Sequence, residues 1–308
     1  MLEDFKVITP LIKLKSFKNN DARIKLEGSN LYGSAKDRTA IYGLSKLLEQ
    51  GLISKDTEIV ESSSGNMGVA LAAVGAHLNL KITIMIDDSI SKLNEFLIKA
   101  YGAKTIKITE ADENGSYLKN RLQAVKEYTA QRKNVYWFNQ YGNPLVVEAY
   151  KETIGKEIIK QFPNVDYVFI AVSSGGTIAG ISQAVHEYNK AIKVIAVDIE
   201  GSKIFDPATK KIKRFIGIGS SIRTDNFLRA SIDDKIIVSE QDSIQALFSM
   251  VKDEQLCLGA SSGCVVCGAK QYMKLHNIRN KKIVIVSHDR GERYFTNLYS
   301  QYPEFLFE

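Results

Sequence analysis

The stretch Thr57–Ile86, TEIVESSSGNMGVALAAVGAHLNLKITIMI, decides the fold. Thr57–Glu61 is β-rich. A Ser/Gly turn follows, then an Ala-rich helical run from Asn66 to Leu78, then the strand Lys81–Ile86. Strand, glycine-rich turn, helix and strand in this order form a βαβ unit with parallel strands. The rhythm continues outward. Ser89–Tyr101 is a helix with apolar residues at helical spacing. Lys104–Thr109 is a strand and Tyr117–Ala130 a helix. After Asn139 come a helix, the strand Val165–Val172, a second Gly-rich turn and another helix. Lys193–Asp198, Lys235–Val238 and Lys282–Ser287 are further strands with helices between them. Most strands are unbroken apolar runs, as in sheets buried on both faces. The fold class is therefore α/β, with mostly parallel sheets flanked by helices.

The 308 residues suffice for two domains, either large enough to bury a core without disulfides or metals. The net charge of +6 is modest for this length. Basic residues cluster clearly once, at Lys210, Lys211, Lys213 and Arg214, which reads as a solvated loop. Nucleic-acid binding is not expected, because no basic stripe exists to carry it. Three cysteines suit a reducing compartment. Cys264 and Cys267 form C-x-x-C, yet they lie in a small apolar run that reads as a buried helix, and no second pair completes a zinc site. No apolar stretch approaches the ~18 residues of a membrane span, and no signal-peptide pattern opens the chain. A cytoplasmic protein with no membrane partner is the expectation.

Gly-rich turns stand after strands and before helices at Ser63–Gly68, Ser173–Gly176 and Gly259–Gly263. In open α/β folds ligands bind outside the carboxyl ends of strands, so three such turns point to one crevice between two lobes. Each turn alone is also a plain connection. Gly33-Ser34-Ala35-Lys36-Asp37-Arg38 precedes a helical run. The helix dipole disfavours a cation at that end, and a neutral amine is what Schiff-base chemistry requires. By itself Lys36 also reads as a surface lysine. In Ser62-Ser63-Ser64-Gly65-Asn66-Met67-Gly68, hydroxyls and N–H groups at a helix start can hold a carboxylate. Asn66 can donate to a phenolic oxygen. In Ser173-Ser174-Gly175-Gly176-Thr177, small residues let backbone approach a phosphate. No Gly-Lys-Ser/Thr ending follows, so this is not a nucleotide P-loop. Gly259-Ala260-Ser261-Ser262-Gly263 and Asp289-Arg290-Gly291-Glu292-Arg293-Tyr294 are bland separately.

In combination and order, these motifs resemble the fold-type II pyridoxal-phosphate (PLP) enzymes, the cysteine synthase and cystathionine β-synthase family. The likeness runs from Thr9-Pro10-Leu11 to Arg293-Tyr294. It implies a two-lobed, tryptophan synthase β-like fold, with a smaller domain at 38–145 and a larger one made of 1–37 and 146–308. It implies that Lys36 forms the Schiff base with PLP and that Ser63, Ser64, Gly65 and Asn66 bind the substrate carboxylate and the cofactor O3′. Ser173, Ser174, Gly175, Gly176 and Thr177 match the cofactor phosphate loop, and Ser261 the serine on the pyridine nitrogen. Gln140, in Phe138-Asn139-Gln140-Tyr141, matches a glutamine at the substrate carboxylate. Gly217, in Gly217-Ile218-Gly219, matches the segment that closes over the cofactor. A homodimer is implied as well. Departures fall on the substrate side: Ser63 and Met67 replace threonines, Ser173-Ser174 replaces Gly-Thr, and Ser220–Asn226 lacks the usual aromatic-plus-proline pattern. Within the family the chain looks most like siderophore-pathway enzymes that join O-phosphoserine to glutamate, and like bacterial enzymes that release sulfide from cysteine.

The resemblance implies exchange of the β-substituent of O-phosphoserine, O-acetylserine or cysteine for a small nucleophile, through an aminoacrylate. A neutral serine at the ring nitrogen favours elimination of a β leaving group over a long-lived carbanion. A lyase that releases sulfide from cysteine is the alternative, and a non-catalytic PLP or amino-acid sensor a second one. Arg223 suits a phosphate leaving group and Asp225 a water or thiol proton, though both also read as surface loop residues. No haem segment precedes the core and no regulatory domain follows Glu308, so regulation of the kind added to long cystathionine β-synthases is not expected.

Overall fold

A computed structural model gives the fold, describing residues 7–113, 115–210 and 215–307. The strands in chain order are β1 (Leu11–Lys13), β2 (Asp21–Leu26), β3 (Glu58–Ser62), β4 (Lys81–Asp87), β5 (Lys104–Ile108), β6 (Val135–Trp137), β7 (Tyr167–Ala171), β8 (Lys193–Ile199), β9 (Asp234–Val238) and β10 (Lys282–Ser287). The chain forms two compact units. One is Lys36–Ala149; the other joins Val7–Ala35 to the chain from Tyr150 onward. Lys36 thus opens the smaller unit, two residues ahead of the boundary expected from sequence.

The smaller unit holds a four-stranded sheet in the order β5-β4-β3-β6, parallel throughout. The helix Asn66–His77 has every residue from Met67 to Gly75 buried, which explains its Ala-rich composition. Ile59, Val60, Ile84 and Leu71 are fully buried with it. Each such aliphatic side chain contributes about 1.5–3 kcal/mol by leaving water. The helix expected at Ser89–Tyr101 runs over Lys92–Ala100, because Ser89 turns back to donate its N–H and hydroxyl to Asp87, and Ser91 caps the helix.

The larger unit holds a six-stranded sheet in the order β1-β2-β10-β7-β8-β9, with only β1 antiparallel. Phe169, Ile195, Val197, Ile283 and Ile285 pack against Val265 and Val266 of the helix Ala260–Leu275. Cys264 and Cys267 lie buried in that helix and form no disulfide. Burial pushes the Cys267 thiol up to about 12. Among the described residues no His, Cys, Asp and Glu group could hold a metal ion, and no helix is long and apolar enough to cross a membrane. Of the basic cluster, Lys210 is exposed; Lys211, Lys213 and Arg214 lie outside the described residues.

Candidate active site

In the smaller unit Lys36 is the first residue of the helix Lys36–Glu49, half-buried. Its carbonyl accepts a hydrogen bond from Thr39 Oγ1 at 2.9 Å, and that hydroxyl lies 3.9 Å from Met67 Sδ. The contact ties the helix that starts at Lys36 to the one that starts at Asn66. The Ser/Gly turn between β3 and the second helix is tightly shaped. Ser63 N–H donates to the Met85 carbonyl (3.0 Å), and Ser63 Oγ accepts from Gly65 N–H (3.2 Å). Ser64 Oγ accepts from Asp87 N–H (2.9 Å), and Asn94 Nδ2 donates to the Ser64 carbonyl (3.3 Å). No side chain caps the helix at Gly65. Such a helix start presents N–H groups to an anion.

Behind the turn lies a buried polar group that the sequence did not announce. Glu61 is fully buried; its two oxygens accept the N–H groups of Ser62 (2.7 Å) and Gln140 (3.0 Å). Gln140 Nε2 donates to the Ser62 carbonyl at 2.9 Å, and its amide also bonds Glu61. Burial pushes the Glu61 carboxyl up to about 7, against the opposing pull of these donors and of Arg121. Arg121 pairs with Asp87 at 2.9 Å and reaches Ser64 Oγ at 3.5 Å. Burial pushes Tyr141 up to about 12; Arg121 also bonds its hydroxyl. A charged Glu61 after the apolar pair Ile59-Val60, close to the turn, was the one available signal. Asp87 and Arg121 carried none.

In the larger unit Gly175 stands at φ +83° before the helix Gly176–Tyr188, with no side-chain cap. A Cβ there would lie 2.2 Å from Phe227 N, so only glycine fits. Ser173 Oγ donates to the Gly219 carbonyl (3.0 Å) and Thr224 Oγ1 to the Ser174 carbonyl (2.9 Å), which seats the segment after Gly217 on this loop. Among the described residues the hydroxyls of Ser174 and Thr177 have no protein partner. Ser261 is 4% exposed in the first turn of the helix Ala260–Leu275, and its hydroxyl too has no protein partner there. A Cβ on Gly217 would stand 3.8 Å from Ser261 N and 3.5 Å from Tyr294 Oη, in ordinary van der Waals contact, so the Gly217 backbone runs beside Ser261. Tyr294 Oη donates to buried Asp289 at 2.5 Å, and a Cβ on Gly259 would strike Asp289 Oδ1. Arg223 is exposed and spends its Nε on the Ile204 carbonyl at 2.9 Å; Asp225, also exposed, opens the short helix Asp225–Leu228.

Residues 2–289 match the model of the family described as pyridoxal-phosphate dependent enzyme. The chain belongs to that family. A hydrogen sulfide-producing enzyme from Fusobacterium nucleatum is 30% identical, with a TM-score of 0.87, over 96% of this chain and 99% of that one. The O-acetylserine-dependent cystathionine β-synthase from Helicobacter pylori is 26% identical (TM-score 0.88, 97% and 98% covered). The O-acetylserine sulfhydrylase isoform 3 from Entamoeba histolytica is 28% identical (TM-score 0.88, 96% and 90% covered). The residues present suit the cofactor of this PLP enzyme. A helix start with an enforced glycine and two partnerless hydroxyls suits a phosphate. A partnerless, nearly buried serine hydroxyl suits a ring nitrogen.

Proposed function

We propose that this PLP enzyme exchanges the β-substituent of a small amino acid derived from serine or cysteine. The observation that carries the reading is Ser261. Its neutral hydroxyl matches the family's serine on the pyridine nitrogen by motif, and it has no protein partner among the described residues. When bound, PLP supplies an aldehyde that condenses with an amino group and a ring that draws electron density from Cα. Ser261 leaves the nitrogen unprotonated, which moderates that withdrawal and favours departure of a β-substituent.

The remaining assignments follow for the chain's own residues. Lys36 holds the aldehyde in the resting enzyme, then takes the α-proton from the substrate and returns it. Asn66 donates to the phenolic oxygen. The N–H groups and hydroxyls of Ser173, Ser174, Gly175, Gly176 and Thr177 hold the phosphate. Ser63, Ser64 and Gly65, with Gln140 beside them, take the substrate carboxylate. Gly217 lets its segment approach closely, and Arg223 takes the leaving phosphate when O-phosphoserine is the donor. A second reading, release of sulfide from cysteine, is favoured by the 30% identity to a hydrogen sulfide-producing enzyme. A cytoplasmic homodimer completes the reading: the absence of disulfides among the three cysteines suits a reducing compartment, and light scattering for twice the mass of one chain checks the dimer.

The test is a product assay with O-acetylserine, O-phosphoserine and cysteine, each with and without a second amino acid or thiol. Replacement predicts a product that incorporates the added nucleophile, whereas elimination predicts pyruvate or sulfide without one. Full turnover by Lys36→Ala sinks the assignment of Lys36. An unchanged preference for O-phosphoserine over O-acetylserine in Arg223→Ala removes Arg223.

A further inference from the structure

We infer that Glu61 is a positioning residue for substrate binding, and that in its ionised form it fixes the Ser63–Asn66 turn and Gln140 in the arrangement that takes the amino acid's carboxylate. The inference rests on the proposed assignment of that turn to the substrate carboxylate.

The geometry is that of a clamp. Glu61 is the penultimate residue of β3, two before the turn begins at Ser63. One oxygen accepts from the N–H of Ser62, the last residue of β3, and the other from Gln140 N–H in the loop after β6. Gln140 Nε2 closes the loop onto the Ser62 carbonyl at 2.9 Å. Two loops distant in sequence are thus locked together by one fully buried carboxylate. The charged and titratable groups facing it are Arg121, from the helix Leu118–Ala130, with Asp87 at the end of β4 and Tyr141 next to Gln140. Arg121 is itself paired with Asp87. Hydrogen bonds to a carboxylate are stronger than those to its neutral form. Protonation therefore loosens both loops at once. Burial brings that protonation to about pH 7, inside the working range of most enzymes.

The experiment uses the PLP-loaded protein and two probes, L-alanine and ethylamine. Both present an amine and neither has a β leaving group, but only alanine has a carboxylate. Dissociation constants are read from the cofactor's absorbance change between pH 5.5 and 8.5. Their ratio cancels most of the amines' own titration and isolates the carboxylate site. In the wild type the preference for alanine is expected to rise about tenfold from pH 6 to pH 8. In Glu61→Gln it stays flat, at the wild type's low-pH value. A pH-independent preference in the wild type overturns the inference, and so does a Glu61→Gln profile that still rises. If Glu61→Gln does not fold, the wild-type profile alone decides. Absence of a cofactor band in the wild type instead overturns the proposed function, so the two failures are told apart.

Discussion

At the scale of single residues, the smaller unit places three ionisable groups where burial makes them consequential. Asp87 and Arg121 are almost wholly removed from water, and their side chains meet at 2.9 Å. Breaking a buried pair from one side leaves an uncompensated charge. Arg121→Met should therefore cost about 3 kcal/mol, read by chemical denaturation of the apo-protein at pH 7.5. Asp87→Asn should cost less, because an amide can still accept from the Ser89 N–H and hydroxyl. Glu61 has the opposite signature. Its carboxyl is held up to about 7 from an ordinary 4.5, so the folded chain binds this proton more tightly than the unfolded chain does. The stabilising contribution is complete below pH 4.5 and is lost as pH rises through 7. The raised value corresponds to about 3 kcal/mol across that window. Glu61→Gln should flatten this part of the stability profile, as followed by urea titrations at pH 5, 6 and 7.5. A clamp that works only when ionised thus costs stability at the pH where it positions the substrate.

At the scale of elements, the turns at strand ends do the positioning, and the one after β7 is the most constrained. Gly175 at φ +83° faces the Phe227 backbone. Gly175→Ala adds a left-handed strain of about 1 kcal/mol to a clash that the neighbouring backbone must yield to. PLP content after dialysis should fall sharply while far-UV circular dichroism of the purified protein changes little. Retention of stoichiometric PLP would show that this turn does not hold the phosphate. These turns were legible in the sequence because three of them recur between strands and helices in the order of the family motifs, although each alone is also a plain connection. The strands β3, β4, β5, β7, β8, β9 and β10 were legible as β-rich runs. β1 and β2 were not. Asp21, Arg23 and Lys25 make DARIKL look like a surface segment, yet Lys25 is fully buried by donating to the Thr9 carbonyl, Glu157 and Gln161. Such partners are 16 to 136 residues away in sequence, beyond any local pattern. β6 is only three residues long. The same reason hides Arg121 and Asp87, whose roles exist only once the chain is folded, whereas Lys36, Asn66 and Ser261 stand in contiguous motifs.

At the scale of the whole molecule, the proposed assignment of the cofactor to turns that only folding assembles makes it a ligand of the folded state alone. Binding to the native state stabilises by RT ln(1 + [L]/Kd), about 2.7 kcal/mol at a hundredfold excess over Kd. Stripping PLP should lower Tm by roughly 5 °C, on the scaling for domains of this size, and adding it back should restore the difference. The proposed phosphate loop Ser173–Thr177 and Ser261 lie in the larger unit, and Lys36 lies in the smaller one. Lys36→Ala removes one attachment and leaves the phosphate loop and Ser261 intact. The variant should still be stabilised by added PLP, by less than the wild type, and free PLP should dissociate from it on gel filtration. Calorimetry of wild type and variant, each with and without PLP, separates the contributions. Equal stabilisation of both would mean that Lys36 takes no part in holding the cofactor. No stabilisation of the variant would mean that the loop and Ser261 bind too weakly to matter. The intermediate result is the one that the partnerless hydroxyls of Ser174, Thr177 and Ser261 require.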